Sequence, residues 1–145
     1  MKWTVREGKF GDMVRVRCID QFEHYGVYVS DKEVIQFGKN PSLRLNVSEA
    51  DVRVLSTDIN EFRNGTFPEF ADMGFTEKRK RFSPEKTVEL ARSRIGESGY
   101  NIIHNNCEHF AYECVFGKKY SSQEEKVRTA IKNTAMGKII KGDES

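Results

Sequence analysis

Tyr100-Asn-Ile-Ile-His-Asn-Asn-Cys-Glu-His-Phe-Ala-Tyr-Glu-Cys-Val-Phe-Gly117 is the stretch on which the fold turns, because it sets a cysteine at the start of a helix. Asn105 and Asn106 are N-cap residue types, and Cys107, Phe110, Ala111 and Cys114 recur at helical spacing before Gly117 ends the run. The helix is therefore expected to begin at about Asn106. Its unpaired N–H groups and positive dipole end favour a thiolate over a thiol, which makes Cys107 a candidate nucleophile. The competing reading is a packed, inert cysteine, since free cysteine is among the most buried residue types. Cys114, on the apolar face, takes that reading. Cys107 differs because His104, Asn105, Asn106, Glu108 and His109 crowd it with polar groups. From these neighbours alone both readings of Cys107 stand, and a nucleophile needs a base from elsewhere in the chain.

Three histidines are available, His24, His104 and His109. His109 is two positions from Cys107 on the helix, and residues at that spacing do not face each other. His104 reaches the cysteine only through the preceding loop. His24 opens the run His24-Tyr-Gly-Val-Tyr-Val29, whose aromatic and β-branched residues read as a strand. On a strand it shares a face with Gly26 and Tyr28, where a packed helix can meet the imidazole. Gln36, on the following strand, is the candidate for a third group that orients the ring. The plainer readings are a satisfied, half-buried histidine and an exposed polar strand position.

Around these residues, Met13 to Ile19 alternates apolar and basic side chains, the period of a half-buried strand, and Asp20 to Glu23 reads as a turn. Ser30-Asp31 separates the His24 strand from Glu33-Val-Ile-Gln-Phe37, which makes an antiparallel meander. Leu43 to Asn46 is a further extended piece, and Asp51 to Ser56 another strand. Thr57 to Lys80 reads as a loop-rich segment laid over the core, with Phe62, Phe67, Phe70 and Phe75 too aromatic for a disordered linker. Ser83-Pro84 opens a helix whose stripe is Val88, Ala91 and Ile95, closed by Gly96 and Gly99. A last helix, at about 121–139, has Val127, Ala130, Ile131 and Ala135 on one side. Strands followed by helices indicate an α+β class, with the cysteine helix packed on the meander.

The 145 residues suit a single domain, residues 1–145 with a core at about 8–120, long enough to bury a core without staples. A net charge of +2, with both signs scattered, leaves no nucleic-acid footprint. Three cysteines without paired spacing argue for a reducing compartment, hence a cytoplasmic protein. The N-terminus lacks an apolar signal core, and no segment approaches the ~20 apolar residues of a membrane span. Lys78-Arg79-Lys80-Arg81, flanked by Phe75 and Phe82, offers peripheral membrane contact, against the plainer reading of a solvated charge run. A metal site from His104, Cys107 and His109 matches no common zinc spacing, and no metal or other cofactor is expected.

The strand His24-Tyr-Gly-Val-Tyr-Val and the run Asn106-Cys-Glu-His-Phe110 resemble the lecithin:retinol acyltransferase-like family, with Gly11-Asp12, Ala91 to Gly96, Phe116-Gly117 and Ser122-Gln123 extending the match. Asn-Cys-Glu-His-Phe is its most specific motif. The resemblance implies a circularly permuted papain-like (NlpC-type) α+β fold, in which the histidine strand precedes the cysteine helix. It implies a thiol acyltransferase or a phospholipase of the A1/A2 type, with a glycerophospholipid as acyl donor, an unidentified acceptor and a cysteine thioester between them. Carried over, Cys107 is the nucleophile and His24 the general base. Many members have a second histidine where this chain has Gln36, which can orient an imidazole but cannot titrate. Two competing readings remain: a cysteine peptidase or isopeptidase of the same fold, and a non-catalytic binding or signalling module.

Overall fold

The computed structural model describes residues 1–17, 23–38, 52–101 and 106–118. The elements follow in the order β1 (Lys2–Thr4), β2 (Asp12–Arg17), β3 (Glu23–Ser30), β4 (Glu33–Gly38), β5 (Arg53–Thr57), α1 (Ile59–Arg63), β6 (Glu69–Asp72), α2 (Phe75–Lys80), α3 (Pro84–Ser93) and α4 (Cys107–Phe116). The strands form one antiparallel sheet in the order β1-β6-β2-β3-β4-β5, and the class is α+β as the sequence indicates. Of the turn expected at Asp20 to Glu23, Glu23 is the first residue of β3, and residues 20–22 lie outside the described residues, as do the extended piece at 43–46, the final helix at 121–139 and His104.

Strand alternation sorts the core into two layers. On one side of the sheet, Val27, Ile35, Phe37 and Val54 pack against Val88 and Ala91 of α3 and Phe110 and Cys114 of α4. Beside them Met13, Tyr25 and Ala71 surround Cys107, Ala111 and Val115 of α4. Val14, Val16, Tyr28, Val34 and Phe70 point the other way and are covered by Phe62 of α1. Full burial of side chains of this size is worth roughly 1.5–3 kcal/mol each, so both faces of the central strands contribute to stability.

The segment from Thr57 to Lys80 is not the loop expected from its turn signals. Asp58 caps α1 by accepting the Glu61 N–H, and Asn64, at φ 47°, ends it. The chain then returns as β6, inserted between β1 and β2. Its aromatics are explained by this path: Phe62 and Phe70 are both core residues, while Phe67 and Phe75 stay exposed. Four residues of strand and five of helix are too short to show a period in the sequence.

Ser83 and Pro84 open α3 as expected, with the Ser83 hydroxyl accepting the Lys86 N–H. The buried stripe is Thr87, Val88 and Ala91, not one that runs on to Ile95, which is 46% exposed. The helix stops at Ser93. The following turn is tied to the sheet edge instead, through Gly96 N–H to Val54 O and Val54 N–H to Glu97 O.

Candidate active site

Asn106 begins α4 as its N-cap, its side-chain oxygen accepting the N–H groups of Glu108 and His109 at 3.0 Å each. His109 completes the cap: its Nδ1 accepts the Asn106 N–H at 3.1 Å. This is a capping box with histidine in the place usually held by Glu or Gln, and that spacing was the signal in the sequence. It gives His109 a structural task at the helix start. Gly117, at φ 75°, closes the helix, and its N–H reaches Glu113 O.

Cys107 is the first residue of the helix and 3% exposed. Its neighbours are Met13, Tyr25 and Ala71 from the sheet and Ala111 from its own helix. The Sγ lies 4.0 Å from the carbonyl oxygen of Glu23, the first residue of β3 and the one preceding His24. Glu108 is buried beside it, and Tyr25 is held in its neutral form, first by burial and then by the Glu108 carboxylate.

His24 and Gln36 are brought together as the sequence suggested. The register sets Gly26 opposite Gln36, so His24 and Gln36 are diagonal neighbours on one face, and His24 Nε2 meets Gln36 Oε1 at 2.5 Å. The Gln36 amide nitrogen in turn donates to Thr57 Oγ1 at 2.8 Å. Gln36 is not the exposed position of the plainer reading but 2% exposed. Burial lowers the His24 pKa below its ordinary value, partly opposed by the Gln36 hydrogen bond, so the ring is neutral at neutral pH.

The helix that meets the His24 ring is α1, whose Phe62 ring lies 5.3 Å away between centroids. Tyr25 and Val27, which alternate with it, are the β3 residues turned to α4. Among the described residues no hydrogen bond joins His24 to Cys107: the imidazole lies on the α1 face of the sheet, not under the cysteine helix as expected, and Cys107 Sγ meets only the Glu23 carbonyl from the α4 face. Sequence reasoning also missed Gly38. A Cβ there would stand 2.5 Å from His24 Cε1 and 3.0 Å from Nε2, so the ring occupies the space a side chain would take.

Other candidates separate from this site. Cys114 is packed in the core, and burial pushes its thiol up to about 12. It borders a cavity of about 540 Å³ between α3 and α4, with Phe82, Lys86, Leu90 and Arg94 among the other walls. Among the described residues, no group of three or more His, Cys, Asp or Glu is placed to hold a metal ion. The basic run is divided by the fold. Lys78, Arg79 and Lys80 are on α2, which buries no residue, whereas Arg81 turns inward to Gly11 O at 2.8 Å and Thr87 Oγ1 at 3.1 Å. Glu69 pairs with Arg15, and β6 runs from there toward the Asp12 end of β2; His24 pairs with Val16 at the other end. The basic helix therefore follows the strand end remote from His24. No described helix is long and apolar enough to cross a membrane.

Comparison with known proteins covers most of the chain. The family model described as lecithin retinol acyltransferase matches residues 6–120. The lecithin retinol acyltransferases of Mus musculus and Rattus norvegicus are each 28% identical over 140 residues, covering 84% of this chain and 60% of theirs. The Homo sapiens protein is 24% identical over 129 residues, covering 75% of this chain and 55% of its own. The chain thus spans about 60% of the length of the relatives it matches first.

Proposed function

Since the chain belongs to the lecithin retinol acyltransferase family, we propose that it is a cysteine acyltransferase or phospholipase A1/A2-type acyl hydrolase taking its acyl group from a glycerophospholipid. The reading adopts the circularly permuted papain-like arrangement, with the histidine strand β3 preceding the cysteine helix α4 in the chain. The observation that carries it is the junction at the start of β3: Cys107 Sγ stands 4.0 Å from the Glu23 carbonyl, and the next residue is a neutral histidine whose Nε2 is already engaged.

With Nε2–H donated to Gln36, the lone pair of His24 is on Nδ1. The thiol proton passes to Nδ1 as the sulfur attacks the ester carbonyl, which requires the start of β3 to bring the ring from the α1 face of the sheet to the α4 face, where Cys107 packs. The tetrahedral oxyanion is met by the Cys107 backbone N–H at the helix start. Its collapse forms the C–S bond of a thioester and breaks the ester C–O bond, and the imidazolium returns the proton to the departing lysophospholipid oxygen. Water or an acceptor alcohol or amine then attacks the thioester, His24 taking its proton, and the thiol is regenerated. Peripheral contact with a lipid surface accompanies this reading, but α2 is at the wrong end of the sheet to deliver lipid directly to Cys107.

Intact mass after brief incubation with a short-chain phosphatidylcholine tests the proposal, with Cys107→Ala and His24→Ala run alongside. The expected result is an acyl-sized increase, removed by hydroxylamine, absent in Cys107→Ala and slower to form in His24→Ala. No adduct and no fatty acid release from the folded wild-type protein would refute lipid acyl transfer.

A further inference from the structure

Tyr25 is a buried phenol beside the nucleophile that the acylation step leaves without a task. We propose that Tyr25 is a catalytic residue, its hydroxyl donating a hydrogen bond to the carbonyl oxygen of the ester as that oxygen takes up negative charge, alongside the Cys107 backbone N–H. The proposal rests on the reading that Cys107 attacks an ester carbonyl, and not on which acyl donor supplies it.

The strand pattern places the ring. Tyr25 alternates with His24, so it lies on the face of β3 where α4 packs, in the same buried group as Cys107, Met13 and Ala71. It is 3% exposed. Glu108, the residue after Cys107, is near enough to raise the Tyr25 pKa, which sets the phenol close to the first turn of α4. Trp3 packs edge-on against the ring, with 5.7 Å between centroids. Arg15 is the partner of Tyr25 across the β2–β3 ladder and donates to the phenol oxygen. That guanidinium is itself held by Glu69 at 2.9 Å and over the Trp3 ring at 4.4 Å.

These contacts use only the acceptor side of the hydroxyl. Arginine has donors and no acceptor, so Arg15 takes a lone pair of the phenol oxygen and leaves the O–H to donate elsewhere. Among the described residues no group accepts that proton, and Glu108 acts on the phenol through its charge, not as a hydrogen-bond partner. Buried tyrosine hydroxyls ordinarily find an acceptor, and one that does not calls for a functional reason. The reacting carbonyl supplies the acceptor: as sulfur attacks, the C=O electron pair moves onto oxygen and meets the two donors. When the intermediate collapses, the pair re-forms the C=O bond and the phenol keeps its proton throughout. Burial, and then Glu108, hold the phenol in the protonated form that a donor needs. The Glu108 carboxylate opposes an anion here, and the Arg15 guanidinium offsets it while polarising the O–H.

Tyr25→Phe removes one oxygen and keeps the ring against Trp3. Acyl-enzyme formation is followed by intact mass with p-nitrophenyl butyrate and with a short-chain phosphatidylcholine, beside alkylation of Cys107 by iodoacetamide, a displacement that forms no oxyanion. The expected result is acylation slowed by roughly 10²–10³-fold in Tyr25→Phe, with alkylation unchanged. A folded Tyr25→Phe that acylates at the wild-type rate overturns the proposal. So does one whose alkylation slows as much as its acylation, which would place the effect on the thiol. Butyraldehyde, which adds to a thiol as a hemithioacetal, gives a second reading in the wild type labelled with carbon-13 at tyrosine Cζ. A tyrosine signal should move as it binds and stay still in Cys107→Ala; no movement overturns the proposal whether or not the phenylalanine variant folds. If p-nitrophenyl butyrate acylates the protein with the Tyr25 dependence while phosphatidylcholine does not react, the lipid donor fails and Tyr25 keeps its role. If neither ester acylates a Cys107 that iodoacetamide reaches, both readings fall.

Discussion

Gly38→Ala is the substitution with the sharpest expected consequence for the site. The backbone at Gly38 is not in the left-handed region, so alanine is conformationally acceptable and the effect comes from contact alone. The new methyl would stand 2.5 Å from His24 Cε1, 3.0 Å from Nε2 and 3.4 Å from Gln36 Oε1. Ordinary carbon contacts are ~3.5–4.0 Å, so the ring must retreat by about 1 Å. It cannot do so freely, because Phe62 packs on it and Gln36 holds Nε2. Overpacking of this kind costs about 1–3 kcal/mol of stability. A 1 Å displacement of a catalytic group slows its reaction by up to about a hundredfold. Urea unfolding measures the first effect, and the rate of acyl-enzyme formation by intact mass the second. A Gly38→Ala protein with wild-type stability would refute the packing described for the ring. One that is destabilised yet acylates at the wild-type rate would refute the role given to His24.

Two other outcomes are expected. Asn106→Ala removes the acceptor of two N–H groups at the start of α4 and should lower stability by about 1 kcal/mol, read as a shift of the urea midpoint; an unchanged midpoint would show that the cap contributes nothing. For pH, the folded-state pKa of His24 lies below its unfolded value of about 6.5, so between the two only the unfolded chain takes up this proton. Stability should therefore fall as pH drops below about 6.5, by at most about 1.4 kcal/mol per pH unit, and stop falling on this account once the folded pKa is passed. His24→Gln should show a shallower dependence over the same window in urea midpoints, and an equal dependence would assign it to other groups.

The cysteine helix could be read directly from the sequence, because its signals are local: Asn106 caps it, Gly117 ends it, and the intervening residues repeat at helical spacing. The β2–β3–β4 meander was legible for the same reason, its alternation lying within each strand and its connections being short. Those elements made Cys107, His24 and Gln36 candidates, and the pairing of His24 with Gln36 followed from strand register.

Only the tertiary structure decided the rest. β6 enters the sheet between β1 and β2 from more than fifty residues beyond β2, and neither its four residues nor the turns around them announce that partner. Through that return α1 covers the face that carries His24, so the ring meets Phe62, while the alternate residues of β3 meet α4. Gly38 and Thr57 have nothing in their local sequence that marks them. They matter because one leaves room for an imidazole and the other reaches a buried amide, and both are properties of what the fold places beside them. Local patterns determine which residues form a helix or strand, since backbone and solvent act within a few positions. The environment of a side chain is set by segments distant in the chain, and that is where the site's geometry was decided.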